Sequence, residues 1–272
     1  MIELKLADRI ITTELPSFVM GIVNATTDSF WEKSRGGASD ALKLVEEGAD
    51  IIDIGGESTR PGSQYVDEDE EIRRVIPVIK AIRKKSKVAI SVDTRKKNIM
   101  KEAFYAGADI LNDISALEDD SEMVSFVSEN KLPVILMHKR GIPSEMQKNT
   151  EYSNVFNDVN SYLLERIAFA EKNGIPSDKI IVDPGIGFGK DLEGNLDLIR
   201  NLSKLCNGKY KILMALSRKT CIGQMTGRDV PERLAGTLAA DMLSVMNGAE
   251  LIRVHDVKES VDTLKVLSYI NR

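Results

Sequence analysis

Cysteine is scarce in this chain of 272 residues, in which Cys206 and Cys221 are the only two. They lack the close spacing of a metal pair or redox motif and cannot form a disulfide framework, so we expect a reducing, cytoplasmic location. No run approaches the roughly 18 apolar residues of a membrane span, and residues 1–9 alternate charged and apolar side chains, unlike a secretory signal. We therefore predict a soluble protein that is neither exported nor bound to a membrane.

An excess of basic residues is also absent. The 37 Lys and Arg residues face 42 Asp and Glu residues, which gives a net charge of -5. No overall field therefore attracts nucleic acid, and any anionic ligand must be held by a local cluster. With 42% hydrophobic and 29% charged residues, the composition is typical of a globular protein with a substantial core and excludes disordered, collagen-like and coiled-coil classes.

Short apolar runs, each of a length suited to a buried parallel strand, recur along the chain. Stretches with helical periodicity lie between them, including 67–85 and 155–172, so strand and helix alternate throughout. The eight runs are 18–23, 51–54, 88–92, 110–111, 134–137, 180–182, 212–216 and 251–254.

Eight strand–helix units in about 250 residues predict a single (β/α)8 TIM barrel over residues 17–272. Residues 1–16 alternate like a small β-hairpin, which we expect to cap the bottom of the barrel. Gly48, Gly107, Gly174 and Gly248 are placed to end helices in a left-handed conformation. The alternative is an open doubly wound sheet, which the lack of a dinucleotide-binding fingerprint disfavours, because 185–190 has neither glycine spacing of a nucleotide loop. No linker divides the chain, so we predict one domain over 1–272.

Polar residues follow each of the eight runs. In barrels of this class the active site lies at the C-terminal ends of the strands, so we expect these residues to meet at one face. They are Asn24; Asp53 with Glu57, Ser58, Thr59 and Arg60; Asp93; Asn112 and Asp113; His138; Asp183; Ser217, Arg218 and Lys219; and Arg253 with His255.

Asp93, Asn112 and Asp183 allow two interpretations. Asp and Asn commonly cap the helix that follows a strand. Alternatively, two buried carboxylates and an amide bind a flat heterocycle that carries amino and ring N–H groups. Buried carboxylates without partners are costly, so such a site would select a ligand rich in donors. The shared position of the three residues after strands favours the second interpretation.

Arg60, Lys219, Arg253 and His255 place several cationic or donor groups after strands of an acidic protein. They are either partners in surface salt bridges or a site for phosphate or carboxylate. Asn24 can add a neutral oxygen for magnesium, which commonly binds through few protein ligands and several waters. We favour an anionic ligand that contains phosphate, together with magnesium.

The two histidines of the chain, His138 and His255, are either packed side chains or functional ones. Both follow strands, which favours function. The segment 25–37 is long for a connection between strand and helix and contains Trp31 and the pair Gly36 and Gly37. It is either a surface loop or a lid that excludes water on closing, and its aromatic and glycine content favours the lid.

The motifs of the chain resemble those of the dihydropteroate synthase family. They run in order from Gly21 to Asp256, and the second and sixth are long enough to be near-diagnostic. They are Asn-Ala-Thr-Thr-Asp-Ser-Phe at 24–30, Asp-Ile-Gly-Gly-Glu-Ser-Thr-Arg-Pro-Gly at 53–62, Ser-Val-Asp-Thr at 91–94, Asn-Asp-Ile at 112–114, Met-His at 137–138, Asp-Pro-Gly-Ile-Gly-Phe-Gly-Lys at 183–190, Ser-Arg-Lys at 217–219 and Arg-Val-His-Asp at 253–256.

The resemblance implies a TIM-barrel transferase of folate biosynthesis. Such an enzyme condenses 6-hydroxymethyl-7,8-dihydropterin pyrophosphate with p-aminobenzoate and releases 7,8-dihydropteroate and pyrophosphate. It also implies the cofactor magnesium, small-molecule substrates rather than nucleic acid or membrane, and a homodimer formed through barrel helices. Sulfonamides, which mimic p-aminobenzoate, are the expected inhibitors.

The same resemblance assigns roles to individual residues. The catalytic set is Asp93, Lys219, Arg253, His255 and Asp28. The pterin site is implied to contain Asp93, Asn112, Met137, Asp183, Phe188, Lys219 and Arg253, with the Arg253 guanidinium stacked on the ring. The pyrophosphate site is implied to contain Asn24, Arg60, Arg253 and His255, with Asn24 as metal ligand, and the p-aminobenzoate site Phe30, Thr59, Arg60, Pro61, Ser217 and Lys219.

The implied mechanism is dissociative. Pyrophosphate leaves first, Asp93 stabilises the positive pterin, and the neutral arylamine attacks the exocyclic carbon. This chemistry needs no nucleophilic side chain, which agrees with the lack of a Ser-His-Asp pattern, and it depends on preorganised electrostatics.

The chain departs from the family pattern at four places. Thr27 replaces a usual Pro, and 31–37 replaces a shorter Asp-Gly-Gly stretch, so the first loop is expected to close differently. Ala215 and Cys221 replace a usual Gly and a larger apolar residue, which predicts an altered p-aminobenzoate pocket and altered sulfonamide sensitivity. Two alternatives share the pterin-contacting residues: a methyltransferase acting between methyltetrahydrofolate and a corrinoid protein, and a non-catalytic pterin-binding protein.

Overall fold

Eight parallel strands form a closed barrel in the computed structural model, which describes residues 1–25, 37–58, 63, 66–141 and 145–270. The order around the barrel is β10-β3-β4-β5-β6-β7-β8-β9, so the first and last barrel strands pair and close the sheet. The closed sheet confirms the predicted barrel and excludes the open doubly wound alternative. The strands are β1 Ile2–Lys5, β2 Ile10–Thr13, β3 Phe18–Asn24, β4 Ile51–Gly55, β5 Ala89–Asp93, β6 Ile110–Asp113, β7 Val134–Met137, β8 Ile180–Asp183, β9 Lys211–Met214 and β10 Leu251–Val254.

Helices follow every barrel strand on the outside of the sheet. Two of them follow β9, so the seventh unit is longer than the simple repeat predicts. The described helices are α1 Ala38–Glu46, α2 Glu68–Arg83, α3 Lys97–Ala106, α4 Met123–Glu129, α5 Val155–Lys172, α6 Leu192–Arg200, α7 Thr220–Thr226, α8 Leu234–Met246 and α9 Val257–Ile270. None of these helices is long and apolar enough to cross a membrane.

The four predicted helix-end glycines all have left-handed backbone. Gly48, Gly107, Gly174 and Gly248 have φ values of 104°, 112°, 91° and 102°. Ala49, Ala108, Ile175 and Ala249, which follow them, each donate their backbone N–H back into the preceding helix, as in a Schellman end. This repeated ending turns the chain from each helix toward the next strand.

The N-terminal hairpin fills the bottom of the barrel, as predicted. β1 and β2 pair antiparallel, with Ile2 opposite Thr13 and Lys5 opposite Ile10. Leu4 and Leu6 are buried in one apolar cluster with the lowest inward-facing side chains of the barrel strands, among them Phe18, Ile51 and Leu251. The hairpin therefore seals the end of the barrel opposite the predicted site.

Alternation along the strands divides the barrel interior into an apolar floor and a polar upper layer. In β4, Ile51 belongs to the floor cluster and Asp53 lies two residues further on the same face. The same change occurs from Ala89 to Asp93 in β5 and from Ile110 to Asn112 in β6. Residues on the other face, such as Ile52, pack against the helices in a separate core.

We predict that Leu4→Ala lowers the free energy of unfolding by about 2–5 kcal/mol, because a fully buried side chain is removed from the plug of the barrel. Ile10→Ala in the same hairpin is the matched control, since Ile10 is 53% exposed and should change stability by less than about 0.5 kcal/mol. Urea unfolding of both variants measures the difference. Equal effects of the two substitutions would contradict the plug.

Candidate active site

A cavity of about 570 Å³ opens at the C-terminal ends of the barrel strands. Its volume lies in the range of pockets that bind small organic ligands. Every described residue to which the family resemblance assigns a role contributes to its lining. These residues are Asn24, Asp93, Asn112, Met137, Asp183, Phe188, Ser217, Lys219, Arg253 and His255.

Arg253 joins two carboxylates across the top of the barrel. Its Nε donates to Oδ2 of Asp53 at 2.6 Å, and its Nη2 donates to Oδ2 of Asp93 at 3.0 Å. Asn112 donates from Nδ2 to the same Asp53 oxygen at 3.2 Å. One guanidinium therefore fixes side chains from β4, β5 and β10, and this buried geometry excludes the surface salt bridge interpretation for Arg253.

Asp93, Asn112 and Asp183 do not cap helices. The N-cap residues of α3, α4 and α6 are Lys96, Glu122 and Asp191. The side chains of Asp93, Asn112 and Asp183 are instead buried at the cavity, 4–8% exposed. The interpretation as a binding site for a donor-rich ligand is the one that this geometry supports.

Burial shifts the proton affinities of the acidic and basic groups in opposite directions. It raises the pKa of Asp93 to about 7, against the lowering effect of the Arg253 guanidinium, with the nearby Asp53 raising it further. It also raises the pKa of Asp183, which Lys219 opposes, and lowers the pKa of Lys219, which Asp183 opposes. Desolvation is thus the dominant effect on all three groups, and a bound charged or donor-rich ligand will change their protonation strongly.

The glycine-rich loop after β8 forms the wall beside Asp183. Gly185 has a φ of 68°, and a Cβ there would lie 1.9 Å from the backbone oxygen of His138, so no other residue fits. Asp183 Oδ1 accepts the N–H of Gly185 at 2.7 Å. Lys219 donates to the Ile186 carbonyl at 2.6 Å, and its Nζ lies 4.8 Å from the centroid of the Phe188 ring. Lys219 therefore links the loop to the start of α7.

Ser217 orients His255. The Ser217 Oγ lies 2.9 Å from Nδ1 of His255 and accepts the backbone N–H of the same residue at 3.2 Å. Arg218, the middle residue of the Ser-Arg-Lys motif, is buried and pairs through both Nε and Nη2 with Asp256. Its bidentate pair ties the loop after β9 to the loop after β10, so its role is to position its neighbours.

His138 does not join the site, contrary to the expectation that all polar residues after strands converge. Alternation places Met137 on the inner face of β7, and the His138 ring packs instead edge-on against Tyr162, with centroids 5.0 Å apart. Burial, with a contribution from Lys190, lowers the pKa of His138 to about 3. The packed interpretation is thus the correct one for His138.

Five predicted residues lie outside the described part of the chain: Asp28, Phe30, Thr59, Arg60 and Pro61. The predicted lid, with Thr27 and Trp31, also lies there. Ala215 and Cys221, which depart from the family pattern, both line the cavity. Cys206 and Cys221 are free and buried, in agreement with the expected lack of a disulfide.

Sequence reasoning did not assign a role to three groups that organise the site. Asp53 is fully buried beneath the cavity and holds Arg253, and Lys190 is buried within the glycine-rich loop. Glu57 accepts from Arg95, Lys96 and the Val66 N–H, so it anchors the described ends of the loop after β4. The sequence already placed Asp53 at this face, and alternation adds that its side chain points inward, since it follows Ile51 by two residues. The contacts of Glu57 join separate parts of the sequence, so no local pattern predicts them.

Residues 20–255 match the family described as pterin binding enzymes. The chain is 44% identical over 257 residues to the dihydropteroate synthase of Escherichia coli (strain K12), a comparison that covers 92% of this chain and 90% of that protein. Sequence and family matches thus span nearly the whole barrel.

Solved structures agree with the sequence comparison. The dihydropteroate synthase of Xanthomonas albilineans with 4-aminobenzoic acid is 41% identical, has a TM-score of 0.91 and matches over 99% of this chain and 98% of that one. A structure of the dihydropteroate synthase from the same organism, in complex with 7,8-dihydropteroate, has a TM-score of 0.86 at 41% identity, with the same coverage of both chains. The likeness therefore extends over the hairpin and the barrel together.

We predict that His138→Phe removes part of the loss of stability that the protein shows in acid. The folded state holds His138 neutral down to about pH 3, whereas the unfolded chain binds a proton below its ordinary pKa of 6.5, so stability falls as pH falls from 6.5 to 3. The loss from this one residue is about 2 kcal/mol at pH 5. Unfolding free energies of wild type and variant at pH 7 and pH 5 measure it, and parallel pH profiles would refute it.

Proposed function

Because this chain belongs to the dihydropteroate synthase family of pterin-binding enzymes, we propose that its cavity joins 6-hydroxymethyl-7,8-dihydropterin pyrophosphate to p-aminobenzoate. The products are 7,8-dihydropteroate and pyrophosphate, and the enzyme is a transferase of folate biosynthesis. The observation that carries this proposal is the meeting of Asp93, Asn112 and Asp183 with Arg253, Lys219 and His255 in one cavity. The first three suit a heterocycle rich in donors, and the others suit a leaving anion.

The acidic side of the cavity binds the pterin. Amino and ring N–H groups of a pterin donate to the carboxylates of Asp93 and Asp183, while Asn112 donates and accepts. Because these groups are buried, a ligand that lacks the matching donors leaves them unpaired and binds poorly. Met137 and Phe188 provide the apolar contacts beside the ring, and the planar Arg253 guanidinium provides a surface for stacking.

The cationic side takes the pyrophosphate. Lys219 and Arg253 supply positive charge, and His255 is held in place by Ser217. Asp53 keeps the Arg253 side chain aligned while Asp93 turns to the substrate. Charge that develops on the leaving oxygen therefore meets donors that are already oriented.

Catalysis requires that the separated charges be stabilised, and it does not require a nucleophilic side chain. The bond between the exocyclic carbon and the pyrophosphate oxygen breaks, and the electron pair leaves with pyrophosphate. Asp93 stabilises the positive pterin, whose charge favours the ionised form of this carboxyl despite its raised pKa. The neutral arylamine then attacks the carbon, the new C–N bond forms, and the nitrogen loses its proton.

Magnesium is the proposed cofactor, and the donor set fits it. The described residues contain no group of three His, Cys, Asp or Glu side chains that could hold a metal. Asn24, at the end of β3, lines the cavity, and β3 pairs with β10, which carries Arg253. The Asn24 amide oxygen would hold Mg²⁺, whose ligands commonly include phosphate oxygens and waters. When bound there, magnesium neutralises charge on the leaving pyrophosphate.

The p-aminobenzoate side is proposed for Ser217 and Lys219, which line the cavity. Family resemblance adds Phe30, Thr59, Arg60 and Pro61 to this side and Asp28 to the catalytic set. The ion pairs of Glu57 with Arg95 and Lys96 fix the chain two residues before Thr59. A cytoplasmic location is proposed with this function, since two free cysteines suit a reducing compartment.

We also propose a homodimer through α8 and α9. The only ionisable residue of α8 is Asp241, which is buried, so the outer face of this helix is apolar. Leu243 and Met246 are exposed on α8, as are Val266, Tyr269 and Ile270 on α9. A helix that is also apolar on its outer face is normally covered, and a symmetric dimer covers such a patch with its own copy.

The proposed function predicts that purified protein with the dihydropterin pyrophosphate and magnesium releases one pyrophosphate per dihydropteroate when p-aminobenzoate is added. Asp93→Asn should lower kcat/KM about a hundredfold or more, because the charge that stabilises the positive pterin is removed. A coupled pyrophosphate assay and chromatography of dihydropteroate measure both products.

Asp69→Asn on α2 is the matched control, since Asp69 is exposed and far from the cavity wall. It should retain full activity. Repeating the assay with a chelator tests magnesium, whose removal should slow pyrophosphate release. Pterin binding without any dihydropteroate would overturn the synthase in favour of a binding or methyl-transfer protein.

We predict that Leu243→Lys separates the dimer, because an ammonium group cannot be buried in an apolar interface without a partner. Light scattering should give wild type twice the 30.1 kDa mass of the chain and give the variant that mass alone. Tyr105→Lys is the matched control, since Tyr105 is also an exposed apolar side chain but lies on α3. A monomeric wild type would disprove the interface.

A further inference from the structure

Lys190 ends the glycine-rich loop after β8, and its charged group lies inside the protein. The residue is 3% exposed. Its Nζ donates to the carbonyls of Gly185 at 2.8 Å and Phe188 at 3.0 Å, with the His138 carbonyl at 3.5 Å. Within the described ranges it forms no ion pair with a carboxylate. A buried ammonium held by backbone oxygens alone is costly and therefore calls for a specific role.

Two lysines together determine the shape of this loop. Lys190 holds the carbonyls of Gly185 and Phe188, and Lys219 holds that of Ile186, at 2.6 Å. The N–H of Gly185 is bound to Asp183. The turn that carries Phe188 and the carboxylate of Asp183 are consequently connected, and both line the cavity.

Lys190 also contributes charge to the site. Burial lowers its pKa to about 7, with Asp183 opposing the change and Lys219 adding to it. Asp183, on the other side, has its pKa raised by burial and lowered by both lysines. The ammonium form of Lys190 thus favours the ionised form of Asp183, which is the form that accepts hydrogen bonds.

The other charged or titratable groups near Lys190 have other contacts and do not supply this positive charge to Asp183. His138 packs behind the loop and is neutral above about pH 3. Asp191 caps α6 through the N–H of Gly194. Arg140, whose Cβ lies near Gly189, directs its guanidinium over the Tyr152 ring.

We propose that Lys190 is a positioning residue for the pterin side of the site: through the carbonyls of Gly185 and Phe188 it fixes the loop that carries Phe188 and adjoins Asp183, and it places a positive charge behind the Asp183 carboxylate. The inference rests on the proposed function and adds to it a residue that does not touch the reacting atoms. It assigns to Lys190 a selective effect on pterin binding, since Lys190 donates to the carbonyls of the loop that carries Phe188 and, in the described part of the chain, to neither Ser217 nor Lys219.

The first test is the steady-state kinetics of Lys190→Met. We expect KM for the dihydropterin pyrophosphate to rise about tenfold, while KM for p-aminobenzoate and kcat change by less than about threefold. Lys172→Met is the matched control, because Lys172 is exposed at the end of α5 and should behave as wild type. Equal increases in both KM values, or no change in either, would overturn the role of Lys190.

The second test uses binding alone. Titration with 6-hydroxymethyl-7,8-dihydropterin, which lacks the ionising pyrophosphate, is followed by fluorescence between pH 6 and pH 9. Asp93, whose pKa is also about 7, gains charge over this range in both proteins, so wild type is compared with Lys190→Gln at each pH. Wild type should bind the pterin more tightly than the variant below about pH 7, and the difference should shrink as pH rises, because Lys190 loses its charge. A difference that stays constant with pH would refute the electrostatic role.

The two proposals fail in different ways. Wild type that binds the pterin but forms no dihydropteroate removes the proposed function and leaves the binding test of Lys190 in force. Wild type that forms dihydropteroate, with a Lys190→Met variant that is kinetically unchanged, removes only the inference about Lys190.

Discussion

The contact of Arg253 with Asp53 and Asp93 is the constraint on which the upper barrel depends. It spans 200 and 160 positions of sequence and joins the last strand of the barrel to two of the early ones. Each of these groups would be costly to bury alone, and removing one leaves an uncompensated charge in the interior. The same oxygen of Asp53 that receives Arg253 also receives Asn112. The geometry of the site therefore depends on barrel closure, because these charges are paired only when the first and last strands meet.

A second group of opposite charges lies beside the contacts of Arg253. Asp183 is flanked by Lys219 and Lys190, and neither lysine bonds to it directly, since both donate to carbonyls of the intervening loop. The carbonyls of the loop thus accept the hydrogen bonds of both lysines, and the loop forms one wall of the cavity. The Asp183 carboxylate remains directed at the cavity. Ligand recognition on this side depends on backbone carbonyls that are held in place from behind. Such an arrangement explains why a segment with three left-handed glycines is rigid enough to select a flat ligand.

Much of the fold could be predicted from local patterns, because apolar runs and helix-end glycines are short-range signals. Ten of the site residues were identifiable because they sit at strand ends within recognisable motifs. The error at His138 arises because neighbouring residues of a strand face opposite sides. The position of a residue at a strand end does not tell on which face of the sheet its side chain lies. Counting in steps of two from Ile51 or Ile135, which face the barrel interior, does. Contacts such as Glu57 with Lys96 join separate loops and leave no trace in the sequence near either residue.

The hairpin beneath the barrel also determines the end at which ligands enter and leave the cavity. With Leu4 and Leu6 filling the floor, the described part of the barrel is closed at the hairpin end, and the cavity opens at the C-terminal ends of the strands. A molecule that enters the cavity therefore has to leave by the end through which it entered. The hairpin thus acts on exchange with solvent as well as on stability, because the end of the barrel that it covers takes no part in that exchange.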